Sequence, residues 1–214
     1  MNEDDIRITQ QRYRERYQTF GYSPQTLGWG KYGRQALRFS ILSGVGDLHG
    51  KDVLDVGCGF GDLYGFFTAQ RQTVHYVGID LVAELLKEGQ RRYPNAELIV
   101  GDFDEQTFDK QFDYIIASGI FNFRLTKEDN WTYIMRTLDK MLRLAKKGVA
   151  VDFMTSWTDF QNPIAFHTDP SVLLQKISFL TRRFVIRQDY MPYEYALYLY
   201  HDAHINHDNT FQPI

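Results

Sequence analysis

A short β-branched run that stops at a loop of alternating glycines constrains this chain more than any other feature. Val53-Leu54-Asp55-Val56 leads into Gly57-Cys58-Gly59-Phe60-Gly61-Asp62. Glycines lack Cβ and let a ligand approach the main chain. A strand that turns through such a loop into a helix aims backbone N–H groups at that ligand. In the dinucleotide-binding spacing a third glycine falls where Asp62 stands here. An acid beside a pyrophosphate is repulsive, so the loop favours a ligand without phosphates. The lysine-bearing P-loop spacing is absent. Two later strand ends carry acids. Asp80, in Gly78-Ile79-Asp80, lies about 20 residues on, where a carboxylate accepts from ribose hydroxyls. Asp102, in Gly101-Asp102-Phe103, is placed to accept from an exocyclic adenine amine, with Phe103 beside the ring. Together these residues describe a site for a nucleoside. A bare turn with no ligand would leave the recurrence of Asp80 and Asp102 unexplained.

Around this loop the chain alternates strands and helices. Residues 4–19 place Ile6, Tyr13, Tyr17 and Phe20 on one helical face, with Gly21 to end it. Residues 22–32 read as a loop and 33–43 as a second helix. Strands are predicted over 52–56, 74–79, 97–100, 112–117 and 149–154, and helices over 62–71 and 83–92. Thr126 is expected to cap a long helix, with Asp129 at the reciprocal position. Trp131, Ile134, Met135, Leu138, Met141, Leu142 and Ala145 form its core stripe. Lys146, Lys147 and Gly148 suit its end. Asp169-Pro170 opens a further helix. Residues 184–189 and 194–201 read as a hairpin joined at Tyr190-Met191-Pro192-Tyr193. Such alternation predicts an α/β fold, a doubly wound parallel sheet with helices on both faces. The expected organisation is a helical cap over 1–46, an α/β domain over 47–201 and a polar tail over 202–214.

Composition narrows the function. The 214 residues are 43% hydrophobic and 24% charged, which excludes general disorder. The net charge is −3, without the basic excess of a nucleic-acid binder. Cys58 is the single cysteine, so there is no intrachain disulfide, and within the loop it reads as a small filler. No apolar run approaches the ~18 residues of a membrane span. The acidic start, Met1-Asn2-Glu3-Asp4-Asp5, is no secretion signal, and a cytoplasmic protein is expected. No histidine pair has convincing ligand spacing. His201, His204 and His207 fall in the polar tail, and no metal is expected. No obligate protein partner is evident.

The three motifs, in this order and at these spacings, resemble those of the class I S-adenosylmethionine-dependent methyltransferases. A narrower similarity to small bacterial-type members rests on Gly28-Trp29-Gly30, Gln35-x-x-Arg38-Phe39, Ala117-Ser118-Gly119-Ile120-Phe121-Asn122 and Asp189-Tyr190-x-Pro192-Tyr193-Glu194. The resemblance covers about residues 22–201. It implies a Rossmann-like, seven-stranded sheet with the last strand antiparallel. It also implies S-adenosyl-L-methionine as cofactor, S-adenosyl-L-homocysteine as product, and no metal. The residues it assigns to the cofactor are Trp29, Arg38, Asp55, Gly57, Cys58, Gly59, Gly61, Asp80, Leu81, Asp102, Phe103, Ser118 and Gly119. Asp55 would stand near the methionine amino group. Arg38 reads either as a surface residue or, with Gln35 on the same face, as a partner of the methionine carboxylate. Tyr13, Tyr17, Trp29 and Tyr32 read equally as a packing face or as an aromatic lid.

The acceptor pocket is expected beyond the strand ends, in Ser118–Phe123, Asp152–His167 and Tyr190–Glu194. Phe121, Phe123, Trp157, Phe160, Phe166, Tyr190 and Tyr193 would supply apolar walls, and Asn122, His167 and Glu194 polar groups. That mixture fits a small-molecule methyl acceptor. Tyr193, Glu194 and His167 are the catalytic candidates: Tyr193 as a wall, Glu194 as a base or amine anchor, and both equally as plain hairpin caps. The Asn/Asp-Pro-Pro-Tyr signature of many amino-group methyltransferases is missing, and one cysteine is too few for arsenic chemistry. The alternative function is a non-catalytic module that binds S-adenosylmethionine as a sensor. Nicotinamide chemistry is disfavoured by Asp62.

Overall fold

A computed structural model describes residues 1–29 and 34–202 of the chain. Strand β1 (Asp52–Val56) is buried at four of its five positions. It lies between β2 (His75–Asp80) and β4 (Phe112–Ala117), parallel to both. β3 (Glu97–Val100), β5 (Ala145–Met154), β6 (Arg183–Arg187) and β7 (Glu194–Tyr200) complete one sheet of order β3-β2-β1-β4-β5-β7-β6. β7 runs antiparallel to both β5 and β6, so β6 is parallel to the first five strands, as expected. The order reverses between β1 and β4, and in open α/β sheets the crevice at such a switch point is where ligands bind.

Apolar side chains on both faces of the sheet recruit helices. α2 (Gln35–Ser43) and α3 (Asp62–Ala69) cover one face through Ile41, Leu42, Leu63 and Phe67. α5 (Asn130–Leu144) and α6 (Pro170–Ile177) cover the other through Ile134, Leu138, Met141, Leu173 and Ile177. Phe121, Phe153 and Tyr195 stack on that side, with ring centroids 5.2 and 5.3 Å apart. α1 (Glu3–Phe20) packs on α4 (Ala83–Arg92), with Tyr13 and Tyr17 against Phe60, Val82 and Leu85.

Several sequence expectations are corrected. Thr126 does not cap α5. Its N–H and hydroxyl both donate to Asp5 at 2.8 Å, and Lys127 and Glu128 N–H groups donate to the same carboxylate. The cap is instead Asp129, which accepts from Thr132 N at 2.8 Å. Lys146, Lys147 and Gly148 do not end that helix, because Ala145 is already extended and Gly148 pairs with Tyr114 and Tyr200 in the sheet. α3 stops at Ala69, two residues before Arg71 adopts a left-handed φ of 55°. β6 ends at Arg187, whose side chain pairs with Asp189 beyond the strand. Phe20 is exposed rather than part of the buried face of α1. α6 opens at Asp169-Pro170 as expected, and the Asp169 side chain caps it, accepting from Ser171 N at 2.7 Å.

Candidate active site

The glycine loop is tied to the neighbouring strand: Gly57 N and Cys58 N both donate to the Ile79 carbonyl. Gly57 and Gly59 have φ of +71° and +56°. A Cβ at Gly57 would fall on Ile120, and one at Gly59 would stand 2.9 Å from Leu27 Cδ2. Conformation and space therefore both require glycine at these two positions. Asp80 ends β2, and its two oxygens accept from Gly59 N at 2.8 Å and Val82 N at 2.9 Å. Each oxygen keeps a second lone pair, and Asp80 lines the cleft. Burial raises its pKa above the ordinary value against the pull of those backbone bonds.

Asp102 sits at the far end of the cleft. Its carboxylate accepts from Asp104 N at 2.9 Å and faces the Met1 ammonium at 3.3 Å. Phe103 beside it is buried. At the end of β4 the Ser118 hydroxyl donates to Asp152 at 2.5 Å, and Gly119 N donates to the other oxygen at 2.6 Å. Asp152 is 2% exposed. Burial, reinforced by the charge of Glu194, pushes its pKa up to about 6, while the bonds from Ser118 and Gly119 work the other way.

These residues bound a cavity of about 120 Å3 into which Leu27 and Trp29 reach from above, with Thr9 and Tyr13 of α1 beside them. A second cavity of about 210 Å3 adjoins it, sharing Tyr13, Leu27, Trp29, Gly119 and Phe123 and adding Arg16, Arg38, Asn122 and Glu194. Of the residues expected at the cofactor, Trp29, Gly57, Gly59, Asp80, Leu81, Asp102, Phe103, Ser118 and Gly119 line the first cavity. Asp55, Cys58 and Gly61 are not on its wall. Asp55 faces inward, accepting from Tyr76 Oη at 2.7 Å, and burial pushes its pKa up to about 7. Cys58 Sγ fills the space beside Gly78, where a Cβ would meet it at 2.7 Å. Gly61 is the left-handed cap of α3.

Arg38 is not a surface residue; it stands on the wall of the second cavity and pairs with Glu194. It is buried, its Nε donates to Glu194 Oε2 at 2.7 Å, and a second nitrogen meets the other Glu194 oxygen. Its guanidinium also lies 4.1 Å from the centroid of the Trp29 ring. Glu194 thus enters the second cavity as half of an ion pair rather than as a lone base. His167 is not on either wall. Its Nε2 accepts from Asn162 N at 3.3 Å and its Nδ1 lies 2.9 Å from the Thr155 carbonyl, a clip within one loop. Tyr193 is half exposed, Trp157 and Phe160 are exposed, and Phe121 is core. Tyr13, Tyr17 and Trp29 lie over the cleft and α4, whereas Tyr32, His204 and His207 lie outside the described residues.

Sequence reasoning missed Asp5, Leu27 and Arg16, and included Asp152 only as the first residue of an acceptor segment, without a role of its own. Asp152 carried a signal, since it is the lone acid inside the apolar run Val149-Ala150-Val151-Asp152-Phe153-Met154. Asp5, Leu27 and Arg16 carried none, because their roles depend on contacts with residues distant in sequence. Among the described residues no cluster of three or more His, Cys, Asp or Glu is arranged to hold a metal, and no helix is long and apolar enough to cross a membrane.

A crevice at the switch point of this sheet, floored by bare glycine backbone and flanked by a held carboxylate, belongs to an α/β chain of the class I methyltransferase fold. A family model described as "Methyltransferase domain" matches residues 53–148. The "Putative methyltransferase Rv1506c" of Mycobacterium tuberculosis is 30% identical over 151 residues, 67% of this chain and 86% of that protein. This chain belongs to that methyltransferase family. Its fold is shared with magnesium protoporphyrin IX methyltransferase of Synechocystis PCC 6803 with bound SAM, at 15% identity and a TM-score of 0.65, covering 94% of this chain and all of the other. It is shared too with an S-adenosylmethionine-dependent methyltransferase of Clostridium acetobutylicum, at 12% identity and a TM-score of 0.59, covering 81% and 93%.

Proposed function

We propose that this methyltransferase binds S-adenosylmethionine in the glycine-floored cleft and methylates a small molecule held in the adjoining cavity. The observation that carries the reading is the contiguity of the two spaces. Trp29 and Gly119 belong to both, so a donor in one and an acceptor in the other meet at a shared wall.

The residues present fit such a cofactor. Gly57 and Gly59 leave the main chain open, Asp80 is pre-oriented by two backbone donors to accept from hydroxyls, and Phe103 and Leu81 offer apolar surface. S-adenosylmethionine supplies an activated methyl group on a sulfonium. What remains for the protein is positioning and exclusion of water. Asp152 holds the Ser118-Gly119 turn, and Arg38, paired with Glu194, lies against the Trp29 ring. α1 and the segment through Trp29 act as a cap.

Isothermal titration with S-adenosylhomocysteine tests this. Wild type binds without added metal. Asp80→Ala loses charge-assisted bonds worth about 1.5–3 kcal/mol each, so affinity falls at least about tenfold, titrated well below a melting temperature that itself drops because Gly59 N and Val82 N lose their acceptor. No binding by the wild-type chain, or equal binding by the variant, refutes the reading.

A further inference from the structure

The second cavity carries a charge that the methyl-donor site does not explain. Arg12 and Arg16 stand one turn apart on α1, and both lie over the Phe123 ring, with guanidinium carbons 4.0 and 5.9 Å from its centroid. Arg16 lines the cavity, and its Nη1 is buried without a hydrogen-bond partner. A buried guanidinium nitrogen left unpaired costs free energy that a ligand oxygen recovers. Among the described residues no carboxylate forms an ion pair with either arginine. The acids elsewhere on α1 are engaged by other groups or lie away from the cavity, and Glu194 on the cavity wall is already matched by Arg38. On the cavity wall Glu194 is therefore matched by Arg38, and among the described residues Arg16 has no acidic partner. Burial pulls the pKa of Arg12 down, against Tyr13, with the charge of Arg16 adding a smaller push the same way as burial.

The loop is shaped to admit this side chain. Gly28, at φ +86°, leaves Arg16 Nη1 only 2.6 Å from the place a Cβ would take. Any other residue there would push the guanidinium away. This gives the Gly28-Trp29 pair a reason beyond turn geometry. Opposite, Asn122 Oδ1 is held by Met154 N at 3.2 Å, and its amide nitrogen lies near Gly119, 3.6 Å from where a Cβ on that residue would stand. A donor thus faces the cavity from the β4 side while Arg16 enters from the α1 side. Between them are Phe123, Ile164 and Ala165, apolar and close.

We propose that Arg16 anchors a carboxylate on the methyl acceptor, so that the acceptor is a small acid with an apolar, ring-sized body. The proposal rests on the reading of the second cavity as the acceptor site and names the substrate class of that site. A planar two-oxygen group matches the guanidinium fork and accepts two parallel N–H bonds. A cavity of about 210 Å3 walled by the aromatic side chains of Tyr13, Trp29 and Phe123 suits a single ring rather than a polymer segment.

The test uses the full chain saturated with S-adenosylhomocysteine and three probes of the same body: phenylacetate, phenylacetamide and phenylphosphonate, titrated by calorimetry or ligand-observed NMR. Phenylacetate is expected to bind at least about tenfold tighter than phenylacetamide, since a charge-assisted bond exceeds a neutral one by about that factor. Arg16→Gln should bring the two within about threefold, and Arg16→Lys should restore part of the preference. Cofactor-product affinity should be unchanged in both variants. Equal binding of acid and amide by wild type, no binding of the acid, or a preference that survives in Arg16→Gln overturns the proposal. Tighter binding of phenylphosphonate than of phenylacetate overturns the carboxylate in favour of a tetrahedral oxyanion. Loss of S-adenosylhomocysteine binding by wild type would instead refute the cofactor reading, so the two failures are distinguishable.

Discussion

Asp152→Asn separates two consequences of one buried carboxylate. In the wild type Asp152 is 2% exposed and its pKa stands at about 6, against 3.8 for a free aspartate. A difference of roughly two pH units at about 1.4 kcal/mol each is about 3 kcal/mol. The sign follows from proton uptake. Between pH 4 and pH 6 the folded chain holds this proton and the unfolded chain has released it. Stability therefore falls as pH rises through that window and levels off above it. Asparagine has nothing to titrate, so the variant lacks this slope. It keeps one carbonyl acceptor for Gly119 N and loses the charge-assisted bond from Ser118, a cost of about 1–2 kcal/mol. Relief of the repulsion from Glu194 offsets part of that cost. Urea unfolding of both proteins at pH 4.5 and 7.5 measures the difference. The gap between variant and wild type should move by about 2 kcal/mol in favour of asparagine on going to the higher pH, since pH 4.5 already lies inside the window. Parallel pH profiles would show that Asp152 titrates normally and that the buried, bonded environment of the Ser118-Gly119 turn is not as described.

Arg38→Met leaves the partly buried Glu194 carboxylate without this partner and is expected to destabilise the chain, by less than the about 3–5 kcal/mol of a fully buried pair, read from denaturant midpoints. Adding Glu194→Leu should recover most of the loss, because breaking a buried pair costs far more than replacing it. Asp5→Ala removes the acceptor for three backbone N–H groups and one hydroxyl at the 126–128 turn. It should loosen α1 from the body. Limited proteolysis should then cut within α1 faster, at least about tenfold, while the thermal midpoint of the sheet shifts by only a few degrees.

Most of the framework was legible because its signals are local. Strand β1, the glycine loop, Asp80 and the stripe Ile134-Leu138-Met141 each declare themselves within a few residues, through β-branching, missing side chains or a 3–4 spacing. Parallel pairing and the switch point then follow from alternation, and with them the cleft over Gly57 and Gly59. Where the reading went astray, a distant partner had changed what a local signal meant. Thr126 is a good cap in isolation, yet Asp5, 121 residues away, takes its N–H and its hydroxyl. Lys146 and Lys147 suit a helix end, yet the ladders to β4 and β7 hold that stretch extended. Arg38 has the chemistry to meet a ligand carboxylate, yet Glu194, 156 residues on, already occupies it. Asp55 has the right position after a strand, yet Tyr76 turns it inward. A charged or hydrogen-bonding side chain takes the nearest complementary partner in space. Sequence records the chemistry of each group but not which groups the fold brings within 3 Å, so the backbone cleft was readable and the pairing of its charges was not.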